Sequence, residues 1–372
     1  MSTSLLVPQM REGMDVNEVS PEEWGNRYRA RRATYESMTT RLRALITDLV
    51  REAGIDVIQV EGRAKTVDSF VEKIGRKGKK YDNPFADMTD LVGLRIITYY
   101  REDVARIGEI LQGEFLVDEK NSVNKTAGLA PDRFGYLSVH YIVWLSPARG
   151  QLAEWKQYAG IPAEIQVRTA LQHAWAAVQH KLDYKSSIEA PLELRRRLFR
   201  LSALFELADE QFSELRDARA RIETEYVADV RNGHFDLPLD EASLGAYLDD
   251  SGKRDIIGKM IADTGGKMYG QDERALAKDR RDLLKLLNII EIATISQLDD
   301  YLSGNILTVP VAGTDLFRKV GLESVEDALT MLIMADRRVS REVFSAIYLP
   351  DGWADFARLM ERWHSIKSAT AR

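Results

Sequence analysis

Apolar residues at Trp24, Tyr28, Tyr35, Leu42, Leu45, Ile46 and Leu49 recur at near-helical spacing among charges, so Pro21 to Ala53 reads as one helix ended by Gly54. The period then changes to two over Asp56 to Glu61, which predicts a short strand. It returns to a helix over Thr66 to Ile74, with Phe70, Val71 and Ile74 on one side. Leu91 to Tyr100 is apolar and β-branched on both faces, as a buried strand requires. A helix over Val104 to Leu111, strands near Tyr136 to Trp144 and Ala163 to Val167, and a helix over Ala170 to Lys181 complete an alternating unit. The expected fold is α/β (α+β), a mixed sheet covered by helices.

After Tyr184 the character changes. Leu192 to Val227 reads as a long charged helix with a stripe at Leu198, Leu201, Leu204, Phe205 and Leu207, broken by Asn232 to Pro238. Helical patterns follow at Ile256 to Ala262, Leu276 to Ile292, Leu298 to Leu302, Ser324 to Ala335 and Trp353 to Trp363. The expected division is a sheet domain over 20–185, a linking helix over 186–231 and a mainly helical module over 232–372.

Composition narrows the chemistry. The 372 residues are 45% hydrophobic and 30% charged, enough to bury a full core. With no cysteine, disulfides, thiolate zinc sites and a cysteine nucleophile are excluded. Met1 to Asn17 carries no basic stretch followed by an apolar one, and no run approaches the ~18 apolar residues of a membrane span. The expected location is the cytoplasm, with no membrane partner. A net charge of −6 argues against a surface that is basic all over, although local patches outweigh the sum.

Four segments could carry chemistry. In the first, Arg63 precedes Lys65, Ser69 and Lys73, which lie four apart and so would share a helix face, beside the basic loop Arg76-Lys77-Gly78-Lys79-Lys80. Such a face could neutralise a triphosphate, or be merely solvated. The second pairs Asp90, before one strand, with Glu164, inside another; magnesium wants one or two such carboxylates and fills its octahedron with phosphate and water. Singly, each could be an ordinary strand-end acid, or Glu164 could be paired with Arg168. The third is Phe134-Gly135-Tyr136-Leu137-Ser138-Val139-His140, where alternation puts Tyr136, Ser138 and His140 on one polar face, a site wall or a half-buried edge. In the fourth, His173 and His180 share a helix face without a carboxylate at metal spacing, so packing suits this helix better than zinc.

In this order the four segments resemble the synthetase domain of the RelA/SpoT family, over roughly Tyr28 to Lys185. The resemblance implies an ATP-dependent pyrophosphokinase that moves the β,γ-diphosphate of ATP to a ribose 3′-hydroxyl, with Mg²⁺ as cofactor. It implies ATP contacts at Arg63, Lys65, Ser69 and Lys73, with Arg95 assisting, and metal and catalytic roles for Asp90 and Glu164. Acceptor contacts are implied at Tyr136, with His140 and Gln166 beside it. The run Asp132-Arg133-Phe134 departs from the lysine and small polar residue usual in housekeeping alarmone synthetases. Length and a C-terminal module instead look like the fused toxin–antitoxin (CapRel-like) branch. The expected acceptor is therefore the 3′ end of tRNA, with GTP or GDP the alternative and a non-catalytic nucleotide sensor the competing class. The C-terminal module is expected to restrain the enzyme until a protein trigger binds.

Overall fold

The computed structural model describes residues 19–76, 81–124, 138–182, 192–268, 273–318 and 320–370. The chain divides into two compact units, Met1–Arg216 and Asp217–Arg372. The division falls within a helix, Leu192–Arg231, that the sequence pattern set apart as a linking element.

In the first unit, helix α1 (Pro21–Glu52) starts where Ser20 accepts the amide of Glu23, with proline in its first turn and Glu22 and Glu23 at the positive end of the helix dipole. Its stripe of Tyr28, Tyr35, Met38, Leu42 and Ile46 is buried against the sheet. Strand β1 (Val57–Ala64) follows, then α2 (Val67–Ile74), whose N-cap Thr66 accepts the amide of Ser69. A short α3 (Pro84–Asp87) leads to β2 (Val92–Thr98), α4 (Arg101–Glu114), β3 (Phe115–Val117) and β4 (Val123–Asn124). Then come β5 (Val139–Leu145), a helical turn α5 (Pro147–Gly150), β6 (Ala163–Thr169), α6 (Ala170–Leu182) and α7 (Leu192–Arg231), whose first part belongs to this unit.

The sheet runs β1-β2-β6-β5-β3, with β4 added beside β5. β2 and β6 pair in parallel and the other pairs are antiparallel, so the expected mixed sheet is present. Leu94, Ile96, Ile165 and Val167 alternate onto the face that α1 covers. The crossing of α1 over β1 is close: a methyl group on Gly62 would stand 2.7 Å from Cγ2 of Thr39. The ring of Tyr28 stacks on Phe70 at 4.4 Å, and its hydroxyl donates to the Lys65 carbonyl at 2.8 Å. One buried tyrosine thus fixes both α2 and the turn before it.

Three features depart from the expected pattern. β1 extends to Ala64, so Arg63 lies on a strand and Lys65 on the turn before α2; only Ser69 and Lys73 share the helix. Strands β3 and β4, three and two residues long, are too short to leave a periodic signal. β5 begins at Val139, and the expected Tyr136 and Asp132 to Phe134 lie outside the described residues, as do Lys77 to Lys80.

The second unit has its own core. Helices α8 (Glu241–Asp250), α9 (Lys253–Asp263), α10 (Glu273–Ile289), α11 (Ile295–Tyr301), α12 (Val325–Asp336), α13 (Arg341–Ser345) and α14 (Trp353–Thr370) enclose buried Tyr247, Phe317 and Trp363. A two-stranded parallel pair, β7 (Lys267–Met268) and β8 (Gly321–Leu322), completes it. Glu326, fully buried, is held by Arg254 at 2.7 Å and Arg280 at 3.2 Å. A buried carboxylate between two guanidiniums fixes how α9, α10 and α12 meet. Among the described residues no helix is long and apolar enough to cross a membrane.

Candidate active site

The register of four strands builds the site. Arg63 stands opposite Gly93, and Gly93 opposite Glu164; one step on, Glu61, Arg95, Gln166 and His140 form a continuous row across β1, β2, β6 and β5. Alternation puts both rows on the face away from the apolar core. Gly93 leaves room between Arg63 and Glu164 where a side chain would fill the row. A cleft of about 470 Å³ opens here, lined by Arg63, Lys65, Ser69, Arg95 and Gln166 with both acids, Asp90 and Glu164.

Asp90 lies in the turn ahead of β2. Its Oδ2 accepts from Lys65 Nζ at 2.7 Å and lies 2.8 Å from Lys73 Nζ, which comes from the last turn of α2. Burial pushes the Asp90 carboxyl up, but the hydrogen bonds and charges of Lys65 and Lys73 outweigh it and hold it below the ordinary value. Its Oδ1 is buried and has no partner among the described residues.

Glu164 is anchored from the other side. Its Oε1 lies 2.7 Å from His140 Nδ1, and His140 Nε2 is 2.7 Å from Ser138 Oγ. Burial raises the Glu164 carboxyl, the hydrogen bond and charge of His140 more than offset this, and the charge of Asp90 works against them. The two carboxylates therefore sense each other across the cleft. Among the described residues no group of three or more histidine or acidic side chains is gathered for a metal. That donor set suits magnesium, which takes one or two carboxylates and leaves its other positions to phosphate and water. The unpartnered Oδ1 of Asp90 is a ready ligand, so the residues present fit the ion.

One expected residue falls away from the cleft. Arg76, at the start of the basic loop, is exposed and pairs with Glu72 at 3.1 Å. Two further side chains shape the polar face. Glu61, which the sequence reading passed over, takes Arg95 at 3.2 Å. Arg168, expected as a partner of Glu164, is buried to 6% exposure and donates to Gln166 instead, while Glu164 is bonded by His140.

The family described as a region found in RelA / SpoT proteins matches residues 62–189. The GTP pyrophosphokinase YjbM of Bacillus subtilis (strain 168) is 31% identical over 167 residues, covering 42% of this chain and 71% of that protein. The chain belongs to the RelA/SpoT family. Another relative, the GTP pyrophosphokinase YwaC of the same organism, is 26% identical over 204 residues, covering 53% of this chain and 92% of that protein. Among solved structures, small alarmone synthetase 1 from Bacillus subtilis is 28% identical, covering 54% of this chain and 99% of that chain, with a TM-score of 0.43. As a RelA/SpoT protein the chain is an enzyme of the pyrophosphokinase class. The family match ends at residue 189, short of the second unit.

Proposed function

We propose that this RelA/SpoT protein transfers the β,γ-diphosphate of ATP to the 3′-hydroxyl of a guanine nucleotide. The observation that carries the transfer is Asp90, tied by one oxygen to Lys65 and Lys73 with the other oxygen unpartnered among the described residues, facing Glu164 across a cationic cleft. The acceptor rests on YjbM and YwaC, both named GTP pyrophosphokinases, and this reading replaces the tRNA end as the leading one. A tRNA end, a toxin role and a protein trigger for the second unit rest on the resemblance in length and architecture alone.

In the reaction so read, the acceptor oxygen bonds to the β-phosphorus of ATP while the bond to the α,β-bridging oxygen breaks, and AMP leaves. Arg63, Lys65, Ser69, Lys73 and Arg95 bind the ATP. Lys65 and Lys73 would exchange Asp90 for phosphate oxygens, which frees both oxygens of Asp90 at the moment the triphosphate is seated. Mg²⁺ held by Asp90 and Glu164 would spread charge over the phosphate oxygens. Glu164, oriented by His140, accepts the proton of the hydroxyl. Gln166 and His140 line the acceptor's side.

Incubating the protein with γ-labelled ATP and GTP, GDP, ATP or bulk tRNA, and separating the products, tests this. Label is expected in the guanine nucleotides. Label in tRNA alone overturns the acceptor, and label in none of them overturns the transfer.

A further inference from the structure

The cleft wall on β1 continues past the residues that phosphates need. Lys65 and Arg63 are followed, going back along the strand, by Glu61 and Gln59, and all four line the cleft. Between Val57 and Gln59 the register shifts, two residues on β1 standing against one on β2. Such a bulge in an edge strand re-aims the side chains beside it. Here Gln59 Nε2 donates to Glu61 Oε1 at 2.8 Å, and Arg95 Nη1 donates to Glu61 Oε2 at 3.2 Å.

The result is one-sided. Gln59 turns its amide nitrogen toward Glu61, so its carbonyl oxygen points the other way as an acceptor. Glu61, with lone pairs to spare on both oxygens, has no proton to give. Stability does not account for the arrangement, because the side chains of Glu61 and Arg95 are 40% and 30% exposed and an ion pair so exposed contributes little.

Charge decides which part of a nucleotide this end of the cleft can take. A carboxylate repels phosphate, whereas Lys65, Ser69 and Lys73 attract it at the other end, beside Asp90. The acceptor's side lies across the sheet at Gln166 and His140. The Glu61 end is left to the nucleoside of the donor. Four residues, or about 13 Å of strand, separate Lys65 from Glu61, a reach that suits a base whose phosphates are held at Lys65. Facing two acceptors, the edge of that base has to donate. Adenine does so through its 6-amino group, while a 6-keto base would set oxygen against oxygen.

We propose that Glu61, with the Gln59 it orients, selects the base of the donor nucleotide by accepting from an amino group at position 6 of a purine. The inference rests on the ATP-donor reading above and adds what singles out ATP among nucleoside triphosphates.

Calorimetric titration of the full chain, without acceptor, tests it with three ligands. These are ATP, purine riboside triphosphate, which lacks the amino group, and ITP, which has a keto oxygen in its place. The unaltered protein is expected to bind ATP about 10- to 100-fold more tightly than either, the size of a hydrogen bond to a charged group. Glu61→Ala should bring ATP and purine riboside triphosphate within about threefold of each other. Glu61→Gln, whose amide can donate to a keto oxygen, should narrow the ratio of ATP to ITP affinity about tenfold. Equal affinity for ATP and purine riboside triphosphate in the unaltered protein overturns the selection, as does tighter binding of ITP than of ATP. Equal weakening of all three ligands in Glu61→Ala also overturns it, since a carboxylate that only props Arg95 would behave so. If Glu61→Ala does not fold, as judged by its melting curve, unchanged ratios in Glu61→Gln overturn it instead. Because binding is read without turnover, a chain that shows the expected ratios yet transfers no label sinks the transferase reading and leaves the selection standing. Labelled GDP made by a chain whose ratios are the same in both Glu61 variants sinks the selection alone.

Discussion

Lys65 holds Asp90 through a single oxygen: its Nζ lies 2.7 Å from Oδ2, while Oδ1 is buried and unpartnered among the described residues. Replacing that carboxylate leaves Lys65 and Lys73 facing each other without a counter-charge and removes the proposed metal ligand. Asp90→Asn is expected to lower the rate of diphosphate transfer by about a thousandfold or more. The labelled-ATP assay measures this, with a melting curve to show that the fold persists. Transfer within tenfold of the unaltered protein would remove Asp90 from the chemistry.

His140 bonds Glu164 from the neighbouring strand, at 2.7 Å, and is itself held by Ser138. A carboxylate freed from this tether samples other rotamers, and a misplaced proton acceptor costs rate more than ATP affinity. We expect His140→Ala to reduce kcat by about 10- to 100-fold with the KM for ATP within twofold. His140→Gln, whose amide can still donate to Glu164, should recover part of the loss. A fall in ATP affinity alone, with kcat intact, would contradict the positioning role.

The packing of α4 on β5 depends on Gly108. A methyl group there would come within 2.2 Å of the Tyr141 hydroxyl and 3.0 Å of its ring, and that ring is packed against the core. Overpacking of this kind costs about 1–3 kcal/mol. Gly108→Ala should lower the urea midpoint of unfolding, and Gly108→Ala with Tyr141→Phe should recover part of it. An unchanged midpoint in the single variant would mean that the helix shifts freely.

How far the site could be read in advance depends on the range of each contact. The strand around Leu94 and the alternation from Glu164 to Gln166 are local patterns, and the sheet follows them. The four-residue spacing of Lys65, Ser69 and Lys73 fits a helix equally well, but Thr66 caps α2 and leaves Lys65 extended. What brings Lys65 to Asp90 is the Tyr28 hydroxyl on its carbonyl and the pairing of β1 with β2, both far apart in sequence. His140 meets Glu164 only because β5 lies next to β6, an order no periodicity encodes. Arg168, expected beside Glu164, donates to Gln166 instead, while His140 holds that carboxylate from β5.

Asp209 on α7, almost fully buried, accepts the Thr169 hydroxyl at 2.6 Å at the end of β6. Burial pushes its carboxyl up to about 7, with Arg101 opposing and Glu102 adding to the rise. An acid whose folded value exceeds its unfolded one binds its proton more tightly when folded. Its contribution to stability is therefore complete below about pH 4 and is lost as pH rises toward 7. At about 1.4 kcal/mol per pH unit, a rise of about three units sets an upper bound near 4 kcal/mol. Asp209→Asn keeps an acceptor for Thr169 and carries no charge at any pH. Hydrogen exchange at the β2 and β6 amides should slow in the variant relative to the unaltered protein at pH 8, and the two should converge only below about pH 4. The comparison cancels the other titrating groups, and equal pH dependence in both proteins would show that Asp209 is ionised in the folded chain throughout.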